Sequence, residues 1–193
     1  NIAVGHKAGS AINTGYKNVY LGWKAGEDTT TAGENVGVGD LALTNNTIGG
    51  ANTAIGHQTL KACDEGYCNT AIGIDALMNC TSGQRNTAVG GQDALRSLTT
   101  GHQNIGLGYY AGYAITSGTG NVVIGRGAVP DPEANRQLSI SAGDNATPVW
   151  ITGTSAGVVD FPNGFTFDLG SDASGDMYYR NSGGTFTRIA VGS

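Results

Sequence analysis

The sequence predicts an all-β chain: a parallel β-solenoid, or β-roll, shaft of about eight 17-residue turns, followed by a small β domain at the C-terminal end. Three observations predict it. Nearly the same letters recur at a fixed interval, as "NTAIGHQTL" at 52–60, "NTAIGIDAL" at 69–77 and "NTAVGGQDAL" at 86–95. Each copy opens on a two-residue alternation rich in β-branched side chains, which is the period of a strand. Glycine accounts for 33 of 193 residues and charged residues for only 13%, against a usual ~7% and ~25%.

The repeat is best counted from its asparagine. Asn1, Asn18, Asn35, Asn52, Asn69, Asn86, Asn104 and Asn121 recur at one constant interval, save for a single longer step caused by an extra residue in "GGQDAL". Four places on comes a glycine every time: Gly5, Gly22, Gly39, Gly56, Gly73, Gly90, Gly108 and Gly125. A fixed short period means stacked coils. Helical coils are excluded, because so short a repeat cannot hold a helical hairpin and glycine costs about 1 kcal/mol per helical site. The first position after the asparagine is β-branched (Ile2, Val19, Thr53, Thr70 and their equivalents), and the third is apolar (Val4, Leu21, Ile55, Ile72 and theirs). Between them sits mostly alanine or glycine. The glycine that follows marks a corner. A second short strand is expected beyond it, carrying an alanine and then Leu43, Leu60, Leu77 or Leu95.

Stacked coils repeat every ~4.8 Å, so eight make a shaft of roughly 35–40 Å. The asparagines then form a ladder, whose amides bond to one another or close the loop backbone. A structural role is preferred for them over ligand contact. One coil is too small to enclose a core alone, so it needs neighbours along the axis. The small residue in mid-strand would let another chain approach, and a homotrimer about the long axis is expected.

Composition narrows the function. The net charge is -5, with no basic cluster, so nucleic acid and anionic lipid are disfavoured as partners. No run of 18 apolar residues occurs, so no membrane insertion is expected. The chain opens in mid-pattern, as a fragment or a processed product would.

The motif "NTAIG…AL…SG..N", repeated over residues 1–129, resembles the repeats of phage tail fibres and of the β-roll heads of trimeric autotransporter adhesins, although adhesin-head turns are shorter than the turns of this chain. The end segment at 161–193 is similar to the ends of tail fibre proteins, which often precede a cleaved chaperone. The resemblance implies a trimeric, extracellular fibre of a virion tail. Its partners would be itself, other tail or fibre proteins, and a host cell-surface receptor, glycan being favoured. A bacterial surface adhesin or filament subunit is the alternative, and a polysaccharide depolymerase the second alternative.

Beyond residue 129 the period is expected to stop. Residues 130–148 read as a linker with a capping strand at "LSISAG". Residues 149–193 read as a small β domain, with a hairpin in "DMYYRNSGGTFTRIAV" around an Asn-Ser-Gly-Gly turn.

Little of the sequence suggests catalysis. Cys63 and Cys68 are the favoured disulfide, Cys63 and Cys80 the alternative, and free thiols the third option; a bridge would suit an extracellular protein. No zinc spacing is present, no catalytic motif appears, and no cofactor or metal is expected. His6 and His57 share a phase three turns apart. Asp75 and Asp93 are stacked on adjacent turns, as a solvated face or a weak cation site. Trp23, Tyr109, Tyr110 and Tyr113, in variable loop positions, are the candidate receptor contacts.

Overall fold

The computed structural model describes residues 1–129, 131–142, 149–154, 156–161, 177–180 and 186–189. It contains two compact units, residues 1–163 and 164–193. In the first, eight strands recur at the repeat interval: β1 (Ile2–Val4), β2 (Val19–Leu21), β3 (Val36–Val38), β4 (Thr53–Ile55), β5 (Thr70–Ile74), β6 (Thr87–Gln92), β7 (Ile105–Leu107) and β8 (Val122–Ile124). Each pairs in parallel with the next, and residues of equal phase are direct partners, as Thr53, Ala54 and Ile55 are with Thr70, Ala71 and Ile72. The fold is therefore an all-β parallel solenoid of about eight turns.

The period runs one rung further than the sequence suggests. β9 (Leu138–Ser141) pairs in parallel with β8, Leu138 beside Val122. Gln137 stands where the asparagine would be, and its backbone N–H donates to Asn121 Oδ1 at 2.9 Å. The segment expected to be a cap is thus a ninth coil. Capping passes to β10 (Val149–Gly153), antiparallel to β9, and to β11 (Val159–Asp160), antiparallel to β10. Reversing direction ends the stack. In the second unit, β12 (Met177–Arg180) and β13 (Phe186–Ile189) form the two arms of the expected hairpin. The turn predicted between them lies outside the described residues.

The expected second strand of each coil is absent among the described residues. β5 and β6 run on through the corner; elsewhere the chain enters a series of turns. The reason is visible in the dihedrals. Residues six and eight places after the asparagine are left-handed, as in Asp75 (φ 55) and Leu77 (φ 51). Such residues are strained, but they turn the backbone N–H along the stack. Leu43, Leu60 and Leu77 donate to Thr59, Ala76 and Ala94 of the next coil at 3.0, 3.1 and 3.0 Å. Rungs are thus hydrogen-bonded even where no strand exists, which gives these buried amides the partners they need. The extra residue of the sixth coil is absorbed as a bulge: the register shifts between Ile72 and Ile74, and Ile74 pairs with Gln92.

The core is a narrow column. The mid-strand residue, the alanine after the corner, the residue eight places on and the residue eleven places on all point inward. Ala71, Ala76, Leu77 and Cys80 are completely buried, as are Ala88, Ala94, Leu95 and Leu98 one coil later. This corrects one expectation. The small mid-strand residues do not meet a second chain; they face the leucine across the coil, where a larger side chain would seldom fit. The alternate positions point outward. Their apolar side chains run from half-buried at Val38 and Val89 to 61% exposed at Val4.

Candidate functional site

The asparagine ladder is the frame on which any surface stands. Each side-chain Oδ1 accepts the backbone N–H of the next asparagine, as Asn52 Oδ1 does from Asn69 at 3.0 Å. Each Nδ2 donates to a carbonyl near the end of its own coil, Asn69 to Gly83 O at 2.8 Å. One amide thus closes its own loop and ties it to the neighbour. In mid-shaft the amides also bond to each other, Asn86 Nδ2 to Asn69 Oδ1 at 3.1 Å. Seven of the eight are fully buried, Asn18 through Asn121 being at most 1% exposed. The corner glycines answer to the same stacking. Gly22 has φ 137, and a Cβ there would collide with the carbonyl oxygen of Gly39 in the next coil.

All three cysteines are free thiols, so neither expected bridge is formed. Cys68 is exposed while Cys63 and Cys80 are buried; the chain between 63 and 68 carries their side chains to opposite sides of the wall. Cys63 Sγ points inward and donates to Gly66 O at 3.8 Å. Burial pushes the Cys63 thiol up to about 12 and the Cys80 thiol up to about 11, from 9.0. Thiols held so strongly protonated are poor nucleophiles.

The stacked acidic pair is not a solvated face. Asp93 is buried; its Oδ2 accepts Gln92 Nε2 at 3.0 Å, and Arg96 Nε lies 3.2 Å from Oδ1. Asp75 faces His57 instead, Oδ1 to Nδ1 at 3.7 Å, while Asp40 Oδ2 lies 3.7 Å from His57 Nε2. This Asp40–His57–Asp75 run across three coils escapes a reading by phase, because Asp75 sits one place later in its coil than the other two. Among the described residues no group of three or more His, Cys, Asp or Glu is arranged to hold a metal ion, and no helix is long and apolar enough to cross a membrane.

The candidate receptor residues divide in two. Tyr109, Tyr110 and Tyr113 come together, with ring centroids 4.5 Å (Tyr109–Tyr110) and 5.7 Å (Tyr110–Tyr113) apart. The Arg126 guanidinium lies over Tyr109 at 5.4 Å and over Tyr110 at 5.7 Å. Hydrogen bonding to Asp93 raises the Tyr110 phenol above its ordinary value. Trp23 is in the same column as Tyr109, five coils away, roughly 24 Å by the strand spacing; Lys24 Nζ lies 5.0 Å from its ring. These two sites do not form one patch.

The broadest surface feature is the outer face of the sheet. Val4, Leu21, Val38, Ile55, Ile72, Val89, Leu107 and Ile124 form one continuous apolar column, in which no member is fully buried. Beside it run Ile2, Val19, Val36, Thr53, Thr70, Thr87, Ile105 and Val122. Both columns were legible as an alternation, though not as an outward one. Comparison with protein-family models, with curated proteins and with solved structures found no match.

Proposed function

We propose that the chain is a structural and adhesive fibre segment of a phage tail: a non-catalytic homotrimeric shaft, outside the cell, that presents contacts for a host-surface glycan or protein. The observation that carries this reading is the outward apolar column on eight successive rungs. A patch of that length seldom stays in water on a monomer. A flat face that repeats along an axis is well suited to closing on copies of itself around that axis. The likeness of the end segment at 161–193 to the ends of tail fibre proteins favours a virion over a bacterial cell-surface adhesin. Receptor binding would then rest on weak contacts, such as those of Trp23 and the Tyr109 cluster, multiplied over three chains.

The test is the mass in solution by light scattering, before and after mild denaturant. A mass near three chains of 19.6 kDa that survives mild denaturant is expected. Ile72→Glu, which puts a charge in the centre of the apolar column, should lower that mass. A well-behaved monomer would sink the trimeric fibre.

A further inference from the structure

Two exposed tyrosines outside the Tyr109 cluster share one column of the repeat. Tyr16, Gly33, Gly50 and Tyr67 recur at the repeat interval, two places before successive asparagines. The backbone joins them rung by rung: Glu34 N–H donates to Tyr16 O at 2.9 Å, Ala51 N–H to Gly33 O at 3.0 Å, and Cys68 N–H to Gly50 O at 3.0 Å. The tyrosine backbones are therefore three rungs apart, roughly 14 Å. Each ring leans over the glycine beside it. A Cβ built on Gly33 would lie 2.7 Å from Tyr16 Cε1, and one on Gly50 would lie 3.2 Å from Tyr67 Cε1. The rings lean towards each other over a glycine floor, and a recess of about 170 Å³ lies among them.

The ring positions are set by the surroundings. The Tyr67 hydroxyl donates to Ile48 O at 2.9 Å, which anchors that ring over Gly50. Lys17 Nζ lies 5.7 Å from the Tyr16 ring centroid and 3.0 Å from Glu34 Oε1. Tyr16 is 55% exposed and Tyr67 is 42% exposed, so both keep surface for a ligand.

We propose that this recess is a saccharide subsite holding one neutral pyranose ring, so that the Tyr16 and Tyr67 rings meet the C–H faces of the sugar while Glu34 and Thr31 accept its hydroxyls. The volume is well below the ~300–1,000 Å³ of a drug-sized pocket, which limits the occupant to a single ring. The ligand must be apolar on its faces and rich in hydroxyls at its edge, as a pyranose is. Glu34 is paired with Lys17, so the rim carries no net charge, which suits a neutral sugar. The proposal rests on the glycan-receptor reading above and names a site for it, three copies of which a trimer would present.

The test uses the full chain, an array of bacterial surface oligosaccharides, and free glucose, galactose and N-acetylglucosamine followed by saturation-transfer NMR. Binding of a neutral sugar is expected, weakened about tenfold or more by Tyr16→Ala and by Tyr67→Ala with the solution mass unchanged. Glu34→Lys, which keeps both rings, should turn selectivity towards glucuronic acid. Binding that survives both tyrosine variants, or is lost only in Tyr109→Ala, overturns this site and leaves the receptor reading standing. A change of solution mass in the tyrosine variants would assign them to the chain–chain interface and overturn the site. If the unaltered chain binds no saccharide on the array, the site and the glycan reading fall together.

Discussion

In the coil at residues 69–85 the interior is filled by Ala71, Leu77 and Cys80; in the coil at 18–34 the same three places hold Tyr20, Gly26 and Thr29. Both sets are sealed from water, Tyr20 and Thr29 as completely as Leu77 and Cys80. The backbone is the same in both, Gly26 having φ 61 and Leu77 φ 51. A Cβ on Gly26 would lie 2.6 Å from three carbons of the Tyr20 ring, so the ring takes the volume that the leucine takes elsewhere. Its hydroxyl would be stranded in an apolar core, but Thr29 Oγ1 donates to it at 3.0 Å. Burial raises the Tyr20 phenol above its ordinary value, with the Thr29 hydrogen bond opposing. The comparison separates two kinds of repetition. The hydrogen-bonded frame recurs without exchange over the eight asparagine coils. The fill is exchanged, provided that the volume and polarity of one coil balance.

Breaking the frame should cost most, and more in the coil at 69–85, where Asn69 also exchanges side-chain amide bonds with Asn52 and Asn86 at 3.1 Å. Asn69→Ala leaves Gly83 O without its donor and Asn86 N–H without its acceptor, both buried. Asn18→Ala does the same to Ala32 O and Asn35 N–H. Each orphaned group costs about 1–3 kcal/mol. Urea unfolding measures both variants, and a larger loss for Asn18→Ala than for Asn69→Ala would refute this account of the frame.

Next comes the exchange within the Tyr20 coil. Gly26→Ala overpacks the core against the ring and should cost about 1–3 kcal/mol. In a Tyr20→Leu background the overpacking part of that penalty should vanish, leaving only the left-handed strain of an alanine at φ 61, about 1–2 kcal/mol. The two variants and their double form a thermodynamic cycle, for which a coupling of about 0.5–3 kcal/mol is expected; strict additivity would refute the compensation.

The smallest effect appears only in alkali and concerns the place eleven residues after the asparagine, where the Leu77 coil has Cys80 and the Tyr20 coil has Thr29. Unfolded thiols ionise near 9.0, whereas the buried Cys63 and Cys80 do so at about 12 and about 11. The folded chain therefore binds more protons above pH 9. Its stability is fully present below pH 9 and is lost as pH rises through 11–12, at about 1.4 kcal/mol per pH unit for each thiol. The Cys63→Ala, Cys80→Ala double variant should flatten that decline. At pH 8 an alkylating reagent should modify Cys68 alone in the native chain, and rapid labelling of all three thiols would show that the core is wet.

Much of this was legible in the letters, for a particular reason. In a stack, the partner of Asn52 is Asn69 and the partner of Gly22 is Gly39, so pairing register can be read from the period alone. The strands, the ladder, the corners and the bulge near Gly91 all follow. The ninth rung was harder to see, because Gln137 replaces the asparagine and the interval to it is shorter by one. The Tyr16–Gly33–Gly50–Tyr67 column carried a signal at the repeat interval, but the phase before the strand looked like linker. The Asp40–His57–Asp75 run carried none, since its members differ in phase.

The sequence alone determined the period, the strand and the stacking frame, because each of these depends on one residue meeting its own equivalent a coil away. Only the tertiary structure decided which side of the alternating strand is the inside. An alternation of period two is symmetric, and either face of such a strand can be buried. The turns broke that symmetry. They bring a wall of leucine and cysteine so close to the sheet that only small side chains fit between in most coils, which sends the branched residues outward to form the apolar face on which the proposed assembly rests.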